Sequence, residues 1–307
     1  MSPLLDASAC HNLLRSFLAE DIGAGDITTE TTVSALQRGR GEVIAKSPLV
    51  LAGIELFAEV FRLLDITTTV EIISHDGEEL APGKVPARIS ASARALLTGE
   101  RVALNLLQQL SGIATLTRRF VRAVEGTKAD ILDTRKTTPG LRALEKYAVR
   151  VGGGKNHRKD LGEAVLIKEN HIRLAGGVST ALTAAQAAKG RVAWIEIEVT
   201  NLDELCAALT HNPDVILLDN MSPSLVRQAV EQVRKHSAPN KIRTEASGGI
   251  TLENVREFAE AGVDWISVGA LTHSAPAVDL SFEIEPIQVK LVHHKVRNDH
   301  LRGDIDQ

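Results

Sequence analysis

The chain has 307 residues, 44% of them hydrophobic and 24% charged, with a net charge of −4, which is enough apolar material for two domains or for one large barrel with an added lobe. The acidic balance argues against a general nucleic-acid binder, because phosphate binding leaves an excess of Lys and Arg on a surface. The two cysteines, Cys10 and Cys206, lack a metal-type spacing and a disulfide framework, so they read as packing residues in a reducing, cytoplasmic setting. No apolar run reaches the ~18 residues of a membrane span, and Asp6 and His11 interrupt the N-terminal stretch before signal-peptide length, so neither membrane insertion nor export is expected.

Residues 1–115 read as an α+β sandwich lobe. Helical spacing runs through "IELFAEVFRLL" and through the long "ALLTGERVALNLLQQLSGIATLTRRFVRAV", whereas 39–53 and 67–91 read as extended segments with turns at Asp76-Gly77 and Pro82-Gly83. Residues 116–275 then alternate short apolar runs with helical segments. The runs "ADILDT", "EAVLIKEN", "VAWIEIEVT", "DVILLDN", "KIRTEAS" and "VDWISVGA" read as buried parallel strands. Helix starts are expected at Thr138 before Pro139, at Ser179, at Asn201, at Ser222 before Pro223 and at Thr251. Periodicity alone leaves a closed β/α barrel and a doubly wound sheet both open. Nearly every run ends on a reactive side chain, however, which favours strand ends ringed around one mouth and hence a barrel. Residues 276–290 are again strand-like and are expected to return to the first lobe. The polar tail 291–307 carries His293 and His294 as surface residues rather than metal ligands.

The charge is unevenly spread. From Arg135 to Lys168 there are nine Lys/Arg against three acids, the pattern of a focused anion site. Two readings stand for Arg142 and Lys146, four residues apart: part of that site, or a solvated helix face. Arg135 and Arg158 can each hold a carboxylate through two parallel hydrogen bonds, which suits a dicarboxylate. Glu196 and Glu198 share one face of their strand, where a cation, a metal or a polyhydroxyl ligand would compensate them; a structural ion pair is the alternative. In "EASGGITLENV" a Gly-Gly pair precedes a helix start, and with Gly269 at the next strand end it forms a phosphate cup, unless both are ordinary turns.

The segments "DTRKTTPGLRALEKYAVRVGGGKNHR", "LIKENHI", "EIEVTNLDEL", "ILLDNM", "EASGGI" and "ISVGALTHSAPAVDLS", with "EDIGAGDITTE" and "LTGERVALNLLQQLSGIAT" upstream, closely resemble the quinolinate phosphoribosyltransferases over roughly residues 15–285. Glu169 stands where that family usually carries Asp. The resemblance implies an α+β sandwich lobe joined to an incomplete parallel β/α barrel. It implies transfer of phosphoribose from phosphoribosyl pyrophosphate to quinolinate with loss of CO₂, giving nicotinate mononucleotide and pyrophosphate, with Mg²⁺. By matching motifs, Arg135, His157, Arg158 and Lys168 would line the quinolinate pocket, with Lys136 and Lys168 near the pyrophosphate. Glu198 and Asp219 would face the ribose and the metal, with Lys168, Glu198 and Asp219 catalytic. Ser247, Gly248, Gly249 and Gly269 would hold the 5′-phosphate, and Arg101 would reach a partner's site in a homodimer. Competing readings are a same-fold enzyme for another anionic acceptor, an aldolase using Lys168 as a Schiff base, which Glu198 beside it opposes, and a catalytically silent phosphoribosyl-binding protein.

Overall fold

The computed structural model describes residues 7–236 and 242–287; the tail from 291 onward, with His293 and His294, lies outside the described residues. The chain opens with α1 (Ala7–Ile22) and the short α2 (Ile27–Thr32), where the Asp26 carboxylate accepts the Thr29 amide at 3.0 Å, a side-chain cap for an otherwise unpaired donor. There follow β1 (Arg38–Ala45), β2 (Leu49–Val50), α3 (Ile54–Leu64), β3 (Thr69–Ile72), β4 (Glu79–Leu80), β5 (Ala87–Ser92) and the 31-residue α4 (Ala93–Ala123). Along β1, positions 39, 41, 43 and 45 are buried in strict alternation, the period-2 signature of a sheet covered on one face.

Two details explain how this lobe closes. A Cβ on Gly41 would lie 2.1 Å from the Phe282 ring, so the glycine lets that ring lie flat on β1. Phe282 there meets Phe57 and Phe61 of α3 at ring-centroid distances of 5.5 and 5.3 Å, within the range of favourable aromatic pairs. The turn at Asp76-Gly77 has Gly77 at φ +95, and Asp76 is more than a turn residue. Its carboxylate accepts the amides of Gly53 at 2.8 Å and Ile54 at 3.0 Å, capping α3, and the Tyr147 hydroxyl donates to it.

The second half runs β6 (Asp130–Leu132), α5 (Arg142–Val151), β7 (Val165–Ile167), α6 (Glu169–Ala175), α7 (Val178–Ala185), β8 (Ile195–Val199), α8 (Leu202–Leu209), β9 (Val215–Asp219) and α9 (Pro223–His236). It ends with β10 (Arg243–Ser247), α10 (Val255–Glu260), β11 (Trp265–Ser267), α11 (Ala270–His273) and β12 (Leu280–Pro286). Six strands form one parallel sheet in the order β6-β11-β10-β9-β8-β7. The order runs one way without the reversal of a doubly wound sheet, and β6 and β7 remain its two edges, so the α/β class with an incomplete barrel is the fold found. The other main sheet is antiparallel in the order β12-β1-β5-β3.

Three expected helix caps are corrected. Asn201 and Ser222 do accept the amides of Glu204 at 2.9 Å and Leu225 at 3.3 Å. The amide of Thr138, by contrast, is bound by Glu145 Oε2 at 3.1 Å, and α5 begins four residues later, past a turn with Gly140 at φ +83. The amide of Thr251 is held by Asn254 Oδ1 at 2.8 Å, which keeps the segment out of helix until Val255. Ser179 lies inside α7, whose cap position is Gly177. Neither cysteine is in a disulfide, and Cys206 is exposed rather than packed.

Candidate active site

The C-terminal ends of the six parallel strands converge on a cleft of about 230 Å³. Arg135 and Lys136 reach it from the segment after β6, His157 and Arg158 from the segment before β7, and Lys168 from the end of β7. Glu198, Asp219 and Ser247 enter from β8, β9 and β10. Eight of the residues expected from the sequence therefore share one hollow, drawn from positions spread over more than 110 residues.

The glycines lie at its rim. Gly248 has φ +93, and a Cβ there would fall 2.2 Å from Asn220 Oδ1, so only glycine allows the turn after β10 to pack on the end of β9. Gly249, at φ +62, faces open space. Gly269 lies beside Lys136, whose Cδ would be 3.2 Å from an added Cβ. The expected helix start directly after Gly-Gly is absent, since α10 begins at Val255 and is six residues long; the turn rather than a helix dipole forms this rim. Arg101 is not in the cleft of its own chain. It is exposed on α4, in a separate groove of about 580 Å³ with Phe17, Glu20, Asp21 and Glu145.

The electrostatics divide the cleft. On one wall, Lys168 Nζ lies 3.6 Å from Glu198 Oε2. Burial raises the Glu198 carboxyl above its usual value, Lys168 opposes that shift, and the like charge of Asp219 reinforces it. Two carboxylates this close on adjacent strand ends form a hard oxygen donor set. In the same cleft, the buried Arg135 Nη1 and Arg158 Nε have no hydrogen-bond partner among the described residues. Burial depresses the Arg158 proton affinity, and Arg135 beside it adds to the effect. Two guanidiniums that repel each other and keep free donors are poised for an incoming dianion.

The basic span is held by a buried core. Lys146 is 4% exposed; it donates to Asp133 and, at 2.9 Å, to the His157 carbonyl. Asp133 is fully buried and also accepts the His157 amide at 2.8 Å and the Asn156 side chain. The solvated-face reading thus fails for Lys146, because residues 144–149 of α5 are all buried. Arg142 turns instead to the Thr137 hydroxyl at 2.9 Å and the Lys159 carbonyl at 3.2 Å.

At the cleft floor, His157 and Glu196, both expected from the sequence, meet Trp194, Glu245 and Ser267, which the sequence analysis did not single out. His157 Nε2 faces Glu196 Oε2 at 3.1 Å and Glu245 Oε2 at 3.4 Å; Glu196 also accepts from Trp194 Nε1 at 2.9 Å. The three side chains are of metal-ligating kind, with ligand atoms within 4.8 Å of one another. Yet His157 Nδ1 accepts the Arg158 amide at 2.8 Å, which places the ring proton on Nε2 and makes that nitrogen a donor to the acids rather than a ligand. Burial disfavours an imidazolium here, but the hydrogen bond to Glu196 and the neighbouring Glu245 carboxylate outweigh it and lift His157 to about 10. The Arg158 amide on Nδ1 opposes a second proton there, and Nε2–H faces the acids in either protonation state. Glu245 and Ser267 also line the cleft floor. Their signal was alternation: Glu245 lies two residues before Ser247 and so on the same strand face.

Residues 26–111 match the family model described as the quinolinate phosphoribosyl transferase N-terminal domain, and residues 113–283 match the one for its C-terminal domain. A Mycobacterium leprae protein named nicotinate-nucleotide pyrophosphorylase [carboxylating] is 44% identical over 281 residues, covering 90% of this chain and 97% of its own. The Nicotiana glauca quinolinate phosphoribosyltransferase [decarboxylating] 1 is 37% identical over 287 residues, 87% of this chain and 80% of its own. The solved structure of nicotinate-nucleotide pyrophosphorylase from Francisella tularensis superimposes with a TM-score of 0.86 at 38% identity, covering 93% of this chain and 100% of that one.

Proposed function

The chain belongs to the quinolinate phosphoribosyltransferase family, and on that premise we propose that it transfers phosphoribose from phosphoribosyl pyrophosphate to quinolinate with decarboxylation, as a pentosyltransferase of NAD biosynthesis. The observation that carries this reading is the presence, in one cleft, of two guanidiniums with unpaired donors and of two carboxylates from adjacent strand ends. Arg135 and Arg158 grip the neighbouring carboxylates of quinolinate. Lys136 and Lys168 meet the pyrophosphate, and the Ser247–Gly249 turn with Gly269 receives the 5′-phosphate.

As the C1–oxygen bond to pyrophosphate breaks, its electron pair leaves with the pyrophosphate and positive charge develops at C1. Glu198 and Asp219 stabilise that charge while the quinolinate ring nitrogen forms the new bond with its lone pair. The ring is then a pyridinium and stabilises the electron pair left at C2 when CO₂ departs, until C2 takes a proton from water, so no separate base for decarboxylation is required. A Mg²⁺ ion fits the oxygen set of Glu198 and Asp219, and when bound with pyrophosphate it would offset the leaving group's charge.

Arg101 acts across a homodimer interface in this reading, supported by its place on α4 outside the cleft of its own chain. A cytoplasmic location is supported by two cysteines that are not in a disulfide. No helix of the described residues is long and apolar enough to cross a membrane. The test is incubation of the purified protein with quinolinate, Mg²⁺ and phosphoribosyl pyrophosphate. Coupled release of CO₂ and formation of a mononucleotide is expected; nucleotide from nicotinate without CO₂ would assign a different acceptor.

A further inference from the structure

The two acids under the cleft are costly to the fold. Glu196 is fully buried and Glu245 is 1% exposed, and neither oxygen of Glu245, nor Glu196 Oε1, has a hydrogen-bond partner among the described residues. Carboxylates this deep destabilise a protein by several kcal/mol unless fully paired. Ile195, Ile197, Ala246 and Ile266 alternate to the other face of the sheet, so on their own face the acids are flanked by Leu166, Val215, Leu217 and Trp265.

Their placement gives them a use. Four cations, Arg135, Lys136, Arg158 and Lys168, line the cleft. Among the described residues the ion pairs of the site are Lys146–Asp133, His157–Glu196, His157–Glu245 and Lys168–Glu198, and neither guanidinium takes part. A direct salt bridge to Arg135 or Arg158 would steady them but would occupy the donors that a dicarboxylate needs. Glu245 lies at the cleft floor and Glu196 is fully buried; both act through His157. They hold its ring by Nε2, Trp194 fixes Glu196 from the side, and the ring's Nδ1 holds the backbone amide of Arg158.

We propose that Glu196 and Glu245 are positioning residues for the dicarboxylate pocket: a counter-charge set at its floor that fixes His157, and through His157 the start of the Arg158 side chain, while leaving both guanidiniums free of ion pairs. The inference rests on the reading of this cleft as the quinolinate site. It separates two effects of opposite sign. If the acids merely placed negative charge under an anion site, neutralising them would tighten quinolinate binding. If they position His157 and Arg158, neutralising them weakens it.

The experiment is steady-state kinetics of Glu245→Gln, Glu196→Gln and the double variant, with thermal melting of each. The expected result is a KM for quinolinate raised several-fold by either substitution and more than about 10-fold by both. The KM for phosphoribosyl pyrophosphate should stay within about 2-fold, and the melting temperature should hold or rise, because a costly buried charge has been removed. A quinolinate KM that is unchanged or lower, or an equal rise for both substrates, overturns the inference. Should the double variant fail to fold, Trp194→Phe decides by the same criteria, since it removes the donor that holds Glu196 without touching the cleft's cations. Unaltered enzyme that forms no nucleotide from quinolinate overturns the reaction assignment and this inference with it; active enzyme with variants showing no quinolinate-selective change overturns the inference alone.

Discussion

Replacing Lys146 by Met should cost far more stability than a surface lysine would. Among the described residues the ammonium is the one cation on Asp133, a carboxylate with no solvent exposure, and it also donates to the His157 carbonyl. Breaking a buried pair by removing one partner costs about 3–5 kcal/mol, because the remaining charge is left uncompensated. Asp133 keeps two donors, the His157 amide and the Asn156 side chain, and burial already raises its carboxyl toward the protonated form, with Lys146 opposing. Both features place the loss at the low end, about 3 kcal/mol, or roughly 6–12 °C in melting temperature for a chain of this size. Urea denaturation monitored by circular dichroism measures it, and Lys146→Met, Asp133→Asn and the double variant close a cycle that isolates the coupling. A loss below about 1 kcal/mol for Lys146→Met, or single losses that simply add in the double variant, would refute the view of this pair as the clamp joining the β6 end to the His157–Arg158 segment.

Arg135→Ala should raise the quinolinate KM by roughly 10–100-fold, the loss of one charge-assisted bidentate contact, with little change for phosphoribosyl pyrophosphate; calorimetry showing equal losses for both ligands would remove Arg135 from the dicarboxylate role. Mixing Arg101→Ala subunits with Arg135→Ala subunits should regain up to about a quarter of normal activity if sites are shared between chains, whereas heterodimers without recovery would speak for sites built within one chain. Burial works against ionisation of Asp264, but Lys128, the Thr244 amide and Arg234 outweigh it and hold its carboxyl below the usual 3.8. A lowered folded-state value gives stability that is present above the unfolded value and lost as pH falls through the folded one. Asp264→Asn should therefore be less stable than the unaltered chain at pH 7, by about 1–3 kcal/mol, and the difference should shrink in melts taken below pH 4; a constant gap would contradict this.

The sequence spoke most clearly where one constraint dominated. The helix 54–64 was legible to the residue because its apolar stripe is uninterrupted and Asp65 follows in extended conformation. The strand ends were legible because a polar side chain after a run of buried aliphatics has few places to go but the mouth. Lys146 was not, since a four-residue spacing to Arg142 is the same whether a helix face meets water or a buried carboxylate from another segment. Thr138 and Thr251 misled because capping depends on where the chain turns next, and in both cases a distant or neighbouring side chain, Glu145 or Asn254, had already taken the amide. Glu245 was hidden by brevity: in a five-residue strand, one acid among apolar neighbours looks like an edge. Arg101 illustrates the opposite limit, for a motif match assigns a role that no single chain displays.

The long α4 deserves a last thought as a mechanical part. At ~1.5 Å per residue its 31 residues span about 46 Å, and it is seated tightly enough that a Cβ on Gly112 would strike the Pro276 carbonyl at 2.1 Å. A single beam of this length, pressed on α3 at one end and on α5 toward the other, leaves no hinge between the two halves of the chain. Reactants must then enter by the mouth at the strand tips, since parting the halves like a clamshell would mean snapping the beam.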